Sequence, residues 1–316
     1  MNRAIVVTGA SGFIGRALVD RLRVAGREVR PVVREDRGGL EGAAALGPLE
    51  QASPEALARV LEGAAAVVHL AARAHVMDER PDDGEAAYRA ANVDATARLA
   101  RAAVASRVPR FVLASSVKVN GDATLPGRPF RPDDPPAPPD AYGRSKRDAE
   151  IALAEACRGS PTAAIMLRFP LVVGPGARGN VARLVDAVAA GRTLPFGAIE
   201  NRRSVLGLSN LCDAIAAALD AQPAPEGVHF VADAAPVSTP GLVRAIAHAL
   251  ARPVPLAIVP VAVLKLGGRL FGKRAEIDRL TGSLEVDPAS FTAATGWTPA
   301  HTLDDELARL ARTRPI

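Results

Sequence analysis

Tyr142 and Lys146 stand four residues apart in Tyr142-Gly143-Arg144-Ser145-Lys146, a spacing that places both side chains on one face of a helix. Ser116 closes an apolar run, Phe111-Val112-Leu113-Ala114-Ser115-Ser116, that reads as a buried strand ending in hydroxyls. Phenol, ammonium and hydroxyl together form a proton-transfer set. A tyrosine ionises near ~10, so use as a base near neutrality requires a fall of roughly three units, about 4 kcal/mol. The positive charge of Lys146 favours the phenolate, as would any further cationic group brought to the site. Ser116 can hydrogen-bond a reacting oxygen as charge grows on it. The set requires no metal, and the sequence suggests none. Tyr-x-x-x-Lys alone is also how a pair on a solvated helix reads. Its weight comes from following a serine-terminated strand and a glycine motif in one chain.

That motif opens the sequence. Ile5-Val6-Val7-Thr8 is an apolar β-branched run, followed by Gly9-Ala10-Ser11-Gly12-Phe13-Ile14-Gly15 and a helical pattern with Ile14, Leu18, Val19 and Leu22 on one face. Strand, glycine turn and helix in this order leave the first helical N–H groups pointing at one spot, where a diphosphate fits. The glycines let the backbone turn sharply and approach a ligand. Gly9, Ser11, Gly12, Phe13, Ile14 and Gly15 are therefore the expected diphosphate cradle. The alternative is a glycine-rich strand–helix turn that binds nothing.

The remaining elements must position these two clusters. Glu28 to Arg34 reads as a second strand whose end should meet the adenosine ribose. Val33 occupies the place where a ribose-binding carboxylate is usual, and Arg34 follows. An arginine would pair with a 2′-phosphate that a carboxylate would repel, so NADP(H) is expected ahead of NAD(H). Asp36 nearby keeps the NAD reading open. Pro54 to Leu61 reads as a helix capped by Ser53. Ala66 to Ala72 is a buried strand whose small end, Leu70-Ala71-Ala72, would let a cofactor lie on it. His69, inside that apolar run, is expected to be structural; His75, in the following loop, could reach substrate. Glu85 to Ser106 is a long helical pattern interrupted by Asn92, a poor helix former with an expected tertiary use. Asp122 to Asp140 holds seven prolines and is a loop. A helix to Cys157 and a strand from Ala164 to Arg168 follow. This alternation predicts an α/β fold with a doubly wound parallel sheet of Rossmann type.

The second half is less regular. Helices are expected from Asn180 to Ala190, from Ser209 to Ala221 with Ser209 as cap, and at Thr239–Ala251, Val261–Leu270 and Leu303–Ala311. Arg202 to Leu206 and Val228 to Val231 read as extended. A smaller C-terminal α/β substrate domain is expected over the strand ends: residues 171–203 and 233–316, against a dinucleotide-binding unit of 1–170 with a return at 204–232.

Composition excludes several classes. The 316 residues are 48% hydrophobic and 23% charged, an ordinary folded composition. The net charge of +5 comes from scattered arginines, and aromatics are 3%, with no basic block that would suit nucleic acid. Cys157 and Cys212 sit at packing positions without pairing or metal spacing, so a reducing, cytoplasmic setting is expected. No signal peptide is read at the start. Val254 to Leu266 is the most apolar later stretch; it is too short to span a bilayer and is expected to be a buried helix, with a membrane-surface helix as the alternative.

Taken together, these motifs resemble the extended short-chain dehydrogenases/reductases of the nucleotide-sugar epimerase/dehydratase family. The matching pieces are the glycine turn, His69-Leu70-Ala71-Ala72, Asn92-Val93, Ser115-Ser116 before Val119-Asn120-Gly121, Tyr142-x-x-x-Lys146, Arg168-Phe169-Pro170 before Gly174-Pro175, and Gly296-Trp297-Thr298-Pro299. The resemblance implies Ser116, Tyr142 and Lys146 as catalytic residues and hydride transfer at carbon 4 of a UDP- or dTDP-linked hexose. It implies cofactor contacts at Asn92, Ser115, Phe169 and Pro170, and substrate contacts at Ser116, Lys118, Asn180 and Arg203. It also implies a homodimer. The chain departs from the family pattern at Asn120 (usually tyrosine), Leu171 (usually asparagine) and Asn210 (usually aspartate). Val117-Lys118 replaces the acidic pair that a dehydratase requires. Ser116 to Gly121 and Asn201 to Ser204 look most like surface-polysaccharide enzymes, some reducing a UDP-4-keto-6-deoxy-N-acetylhexosamine to UDP-N-acetylquinovosamine, others 4-epimerases. With Arg34 in place of a strand-end acid, a 4-ketoreductase is expected first and a UDP-glucose or UDP-N-acetylglucosamine 4-epimerase second. A catalytically silent NADP-binding protein is the remote third.

Overall fold

The computed structural model describes residues 4–74, 81–125 and 127–313. Its first half alternates as expected: β1 (Ile5–Thr8), α1 (Phe13–Val24), β2 (Val29–Val33), β3 (Ala44–Ala45), α2 (Pro54–Leu61), β4 (Ala66–His69), α3 (Pro81–Tyr88), α4 (Ala95–Ala105), β5 (Arg110–Ser116), α5 (Ala141–Cys157) and β6 (Ala163–Phe169). The second half holds β7 (Leu171–Val173), α6 (Asn180–Ala189), β8 (Val205–Gly207), α7 (Leu208–Asp220), β9 (Gly227–Phe230), α8 (Thr239–Ala249), α9 (Val261–Leu270), α10 (Arg274–Thr281), α11 (Ala289–Thr295) and α12 (Leu303–Arg312).

Seven strands form one parallel sheet in the order β3-β2-β1-β4-β5-β6-β9. β1 sits between β2 and β4, with Thr8 opposite Val32 and His69. The reversal of strand order lies beside it, at the carboxyl end of β1, where open α/β sheets bind ligands. Both faces are covered. Leu18, Val19 and Leu22 of α1 pack with Leu211, Ile215 and Ala218 of α7 on one side. Leu57 and Leu61 of α2, Leu99 of α4 and Leu153 of α5 cover the other. Continuous apolar strands such as Val6-Val7 and Val67-Val68 are what burial on two faces requires.

Charge fixes one crossover. Arg110, buried at the start of β5, donates to the carbonyls of Ala218, Leu219 and Ala221 at 3.0, 2.6 and 2.7 Å. A cation at the carboxyl end of α7 satisfies its orphan carbonyls and complements its dipole.

β7 and β8 form a separate parallel pair. Val173, Val181, Val185, Val243, Ile246 and Leu307 make a second core beside them. Trp297 belongs to the first core, packing on Phe291 at 5.7 Å after Gly296 ends α11 in the left-handed conformation.

Four local expectations are corrected. The helix expected over 85–106 starts at Pro81 and contains a π turn, Arg89–Asp94, between α3 and α4. α7 starts at Leu208 with Gly207 at its cap position, so Ser209 lies inside the helix, where it accepts a hydrogen bond from Arg309. α10 and α11 were not expected, because eight and seven residues are too short for a periodic signal. The stretch 254–266 is not buried. Gly268 is the one buried residue of α9; Val261 and Leu264 are half-buried, and Val263, Leu266 and Leu270 are exposed.

Candidate active site

The β1–α1 turn has the shape its glycines require. Gly9 adopts φ +67°, and a Cβ there would lie 2.6 Å from the Ala71 nitrogen. A Cβ on Gly15 would lie 2.2 Å from the Gly9 carbonyl oxygen, so only glycine lets α1 sit on the turn. The Gly12 N–H donates back to Gly9 at 2.9 Å. α1 then starts at Phe13 with no side-chain cap and no acidic residue in its first turn. Its orphan N–H groups and the positive end of its dipole meet no competing carboxylate, which suits an anion. Phe13 and Ile14 are half-buried and Ser11 is exposed at the rim. Across the turn, the Leu70 N–H donates to Thr8 at 3.2 Å, holding Leu70, Ala71 and Ala72 against the glycine loop. This cradle fits a dinucleotide diphosphate.

His69 is structural. It is 1% exposed, its Nδ1 lies 2.6 Å from the Thr8 hydroxyl, and its Nε2 lies 3.1 Å from the Thr96 hydroxyl. Burial and the charge of Lys146 hold its pKa down to about 3, so it stays neutral. His75 lies outside the described residues.

The β5–α5 corner brings Ser116, Tyr142 and Lys146 together. Ser116 ends β5 and accepts the Lys118 N–H at 3.2 Å, capping a single 3₁₀ turn, Val117–Val119. Asp140 caps α5 by accepting the Gly143 N–H at 2.8 Å. A Cβ on Gly143 would stand 2.6 Å from the Lys118 carbonyl oxygen. The helix start therefore rests directly on the turn after β5, and Tyr142 is delivered beside Ser116. Lys146, one turn on and 3% exposed, lies on the same face.

The electrostatics differ from the sequence expectation in one respect. Burial pushes the Tyr142 phenol up to about 12, with Asp140 and Tyr88 adding to the rise and only Ser116 opposing it. Burial lowers Lys146 to about 8 against the pull of Glu150. The expected fall of the phenol is thus absent in the protein alone. Desolvation opposes phenolate, as it opposes any buried anion, and outweighs the hydrogen bond from Ser116.

Behind the trio lies a buried polar network that sequence reasoning missed. Glu150 accepts from Arg168 Nε at 2.9 Å and Nη2 at 2.6 Å, and from the Ser115 hydroxyl. Arg168 Nη1 donates to Asn120 Oδ1 at 2.8 Å. Asn120, where the family usually has tyrosine, is the neutral acceptor here, and its amide donates on to the Asp134 carbonyl at 3.3 Å. A signal was present: Arg168 interrupts an apolar strand, and Glu150 shares a helix face with Lys146. Ser115 turns its hydroxyl into this network, on the opposite side of β5 from Ser116. Asn92, in the π turn, accepts the Arg73 N–H at 2.7 Å and donates to Arg73 O at 3.1 Å and Ser145 Oγ at 2.8 Å. Both its amide protons are used, so it pins the loop after β4 to α5. Asn210 accepts from Ala300 and His301 and donates to Asp233 and the His301 carbonyl. An aspartate could not donate those two bonds, which explains this departure.

Lys118 sits 3.3 Å from Asp140 and 3.9 Å from Asp122. Arg203 is largely buried and donates Nη1 to the carbonyls of Arg279 at 2.7 Å and Gly282 at 2.9 Å. Burial is also what lowers its pKa. Its neighbour Arg202 faces outward and pairs with Glu285 at 2.9 Å. Asn180 is exposed at the first turn of α6 and accepts from Arg183 at 2.6 Å. Phe169 ends β6 and Pro170 follows it, with Phe169 packed against the core of the sheet. Arg34 is exposed just past the end of β2.

A parallel sheet with a glycine cradle after β1, and a serine, tyrosine and lysine gathered at the β5–α5 corner, defines a dinucleotide-dependent enzyme of short-chain dehydrogenase/reductase architecture. The chain belongs to the NAD dependent epimerase/dehydratase family, whose profile matches residues 5–232. It is 39% identical over 99% of its length, and 95% of the relative's, to a UDP-glucose 4-epimerase from Vibrio cholerae. It is 28% identical to an N-acetyl-alpha-D-glucosaminyl-diphospho-ditrans,octacis-undecaprenol 4-epimerase from Escherichia coli O157:H7, over 86% of this chain and 80% of that one. Among solved structures, MoeE5 in complex with UDP-glucuronic acid and NAD is similar at a TM-score of 0.77 and 27% identity, with 98% of each chain covered.

Proposed function

We propose that this chain is a UDP-hexose 4-epimerase that works with NAD. The observation that carries the reading is a full-length relative of that name at 39% identity, joined to the buried Ser116 and Lys146 and the half-buried Tyr142 of this chain. NAD in the complex of a full-length structural neighbour supports the cofactor. The glycine cradle, Leu70 to Ala72, Phe169 and Pro170 would hold the dinucleotide. When bound, it supplies reversible removal of hydride from carbon 4. Tyr142 takes the proton of the 4-hydroxyl and returns it, and Ser116 hydrogen-bonds the same oxygen. Lys146 supplies positive charge to the phenolate. Asp140 and Gly143 hold the tyrosine in place. Lys118, Asn180 and Arg203 are assigned to the nucleotide diphosphate in this reading, with Arg203 as the principal cation.

Arg34 favours a second reading, the 4-ketoreductase. It follows Val33, which takes the strand-end place of the usual ribose-binding carboxylate, although Glu35 and Asp36 come next. The relatives weigh towards the epimerase. One experiment separates the two. Purified protein is incubated with UDP-glucose, and in parallel with UDP-N-acetylglucosamine, with and without added NADPH. Interconversion with the galacto isomer, without added nicotinamide and with NAD released on denaturation, is expected. Turnover only of a 4-keto sugar, at one NADPH per product, would overturn the proposal in favour of the reductase.

A further inference from the structure

Among the described residues, α9 is the most exposed apolar element. Of the eight large hydrophobic side chains exposed among the described residues, five fall between Ile258 and Phe271: Ile258, Val263, Leu266, Leu270 and Phe271. Val263, Leu266 and Leu270 are spaced i, i+3, i+7, so they form one stripe. The opposite side of α9 is already used. A Cβ on Gly268 would lie 2.7 Å from Ile277 Cγ1, so the helix packs on α10 through its glycine face. Gly272, at φ +68°, turns the chain between them. Leu270 is 74% exposed and Phe271 79%.

The charge around the stripe has one sign. No carboxylate occurs between Asp233 and Glu276, while Arg252, Lys265, Arg269, Lys273 and Arg274 fall in that interval and all are exposed. Glu276 and Asp278 pair with Arg183 at 3.6 Å and Arg274 at 3.5 Å. Lys265, Arg269 and Lys273 are exposed and have no ion pair among the described residues.

We infer that the α9–α10 hairpin is a membrane-surface docking element, taking the anionic headgroup face of a lipid bilayer. An apolar stripe flanked by lysine and arginine is the pattern that lies in the plane of such an interface, apolar side down and cations among the phosphates. Ten residues make a helix of about 15 Å, half a bilayer core, so α9 lies on the surface and does not cross. Long lysine and arginine stems can extend from the helix flanks to the headgroups. A second copy of the chain fits the same face poorly. A two-fold contact sets each patch against itself and brings Lys265, Arg269 and Lys273 near their own copies. Docking leaves the hairpin tied to the site, because Arg203 holds the carbonyls of Arg279 and Gly282 at the end of α10.

The test is co-sedimentation of the full chain with vesicles of phosphatidylglycerol and phosphatidylcholine, against vesicles of phosphatidylcholine alone. Binding to the anionic vesicles is expected, falling about tenfold or more in high salt and in Leu266→Glu with Phe271→Glu. Turnover of a water-soluble UDP-sugar is expected to stay unchanged in that variant, since neither residue belongs to the site. Leu270→Asn, a milder change, guards against misfolding and should weaken binding in the same direction. Failure to bind, equal binding to neutral vesicles, or binding unaltered by these substitutions would overturn the inference. So would a fall in particle mass by light scattering in the variants, which would assign the stripe to a contact between copies.

Discussion

Glu150 receives Arg168 through two nitrogens, at 2.9 and 2.6 Å, one helical turn beyond Lys146. Both partners are buried, and the pair joins α5 to β6 beneath the face that carries Tyr142. Removing one partner leaves an uncompensated buried charge. Arg168→Ala is therefore expected to destabilise the fold by about 3–5 kcal/mol, read by urea unfolding. Replacing both with apolar residues, Glu150→Leu and Arg168→Met, should be less damaging than either single change. A single variant as stable as the parent would show that the pair does not hold the corner.

Tyr142 is expected to be un-ionised in the cofactor-free protein at every pH up to about 10, because burial holds its phenol near 12. The sequence has two tyrosines, so Tyr88→Phe leaves Tyr142 as the sole reporter for absorbance titration of phenolate. Bound NAD should lower the midpoint. A phenol already titrating below pH 9 without cofactor would contradict the dominance of desolvation. Tyr142→Phe should cut turnover by about a hundredfold or more and leave dinucleotide affinity nearly unchanged.

His69 predicts an acid limb of stability. Its folded pKa, about 3, lies below the unfolded value near ~6.5. As pH falls from 6.5 towards 3, the unfolded chain takes up the proton first. Stability is then lost at about 1.4 kcal/mol per pH unit from this residue. His69→Asn should remove that part of the slope, so its loss between pH 7 and 4.5 is smaller by about 2–3 kcal/mol. Equal slopes in urea titrations of the two proteins would place the acid sensitivity elsewhere.

Arg203 and Arg202 differ in a way that calorimetry can read. If Arg203 holds a diphosphate, Arg203→Ala should weaken UDP binding by about 1.5–3 kcal/mol. Arg202 faces outward and pairs with Glu285, so Arg202→Ala should leave UDP affinity within about twofold, as surface ion pairs contribute little. The reverse order would exchange the two assignments.

The parallel sheet, the glycine cradle and the pairing of Tyr142 with Lys146 were legible because each is written within about ten consecutive residues. Apolar β-branched runs announce strands, a positive-φ turn selects Gly9, and four-residue spacing aligns two side chains on a helix. Ser53 before Pro54 is local in the same sense.

Tertiary structure decided what depends on distant neighbours. Asn210 completes its hydrogen bonds with Asp233 and His301, 23 and 91 residues away. The Arg168–Glu150 pair and the Asn92 clamp are likewise contacts between elements that only the folded sheet brings together. The Tyr142 phenol rises because desolvation depends on what surrounds it, and no spacing encodes that. α9 has an apolar pattern that equally suits burial or exposure. Packing resolved it: the close approach of Gly268 to Ile277 assigns one side of the helix to α10 and leaves Val263, Leu266 and Leu270 to the outside.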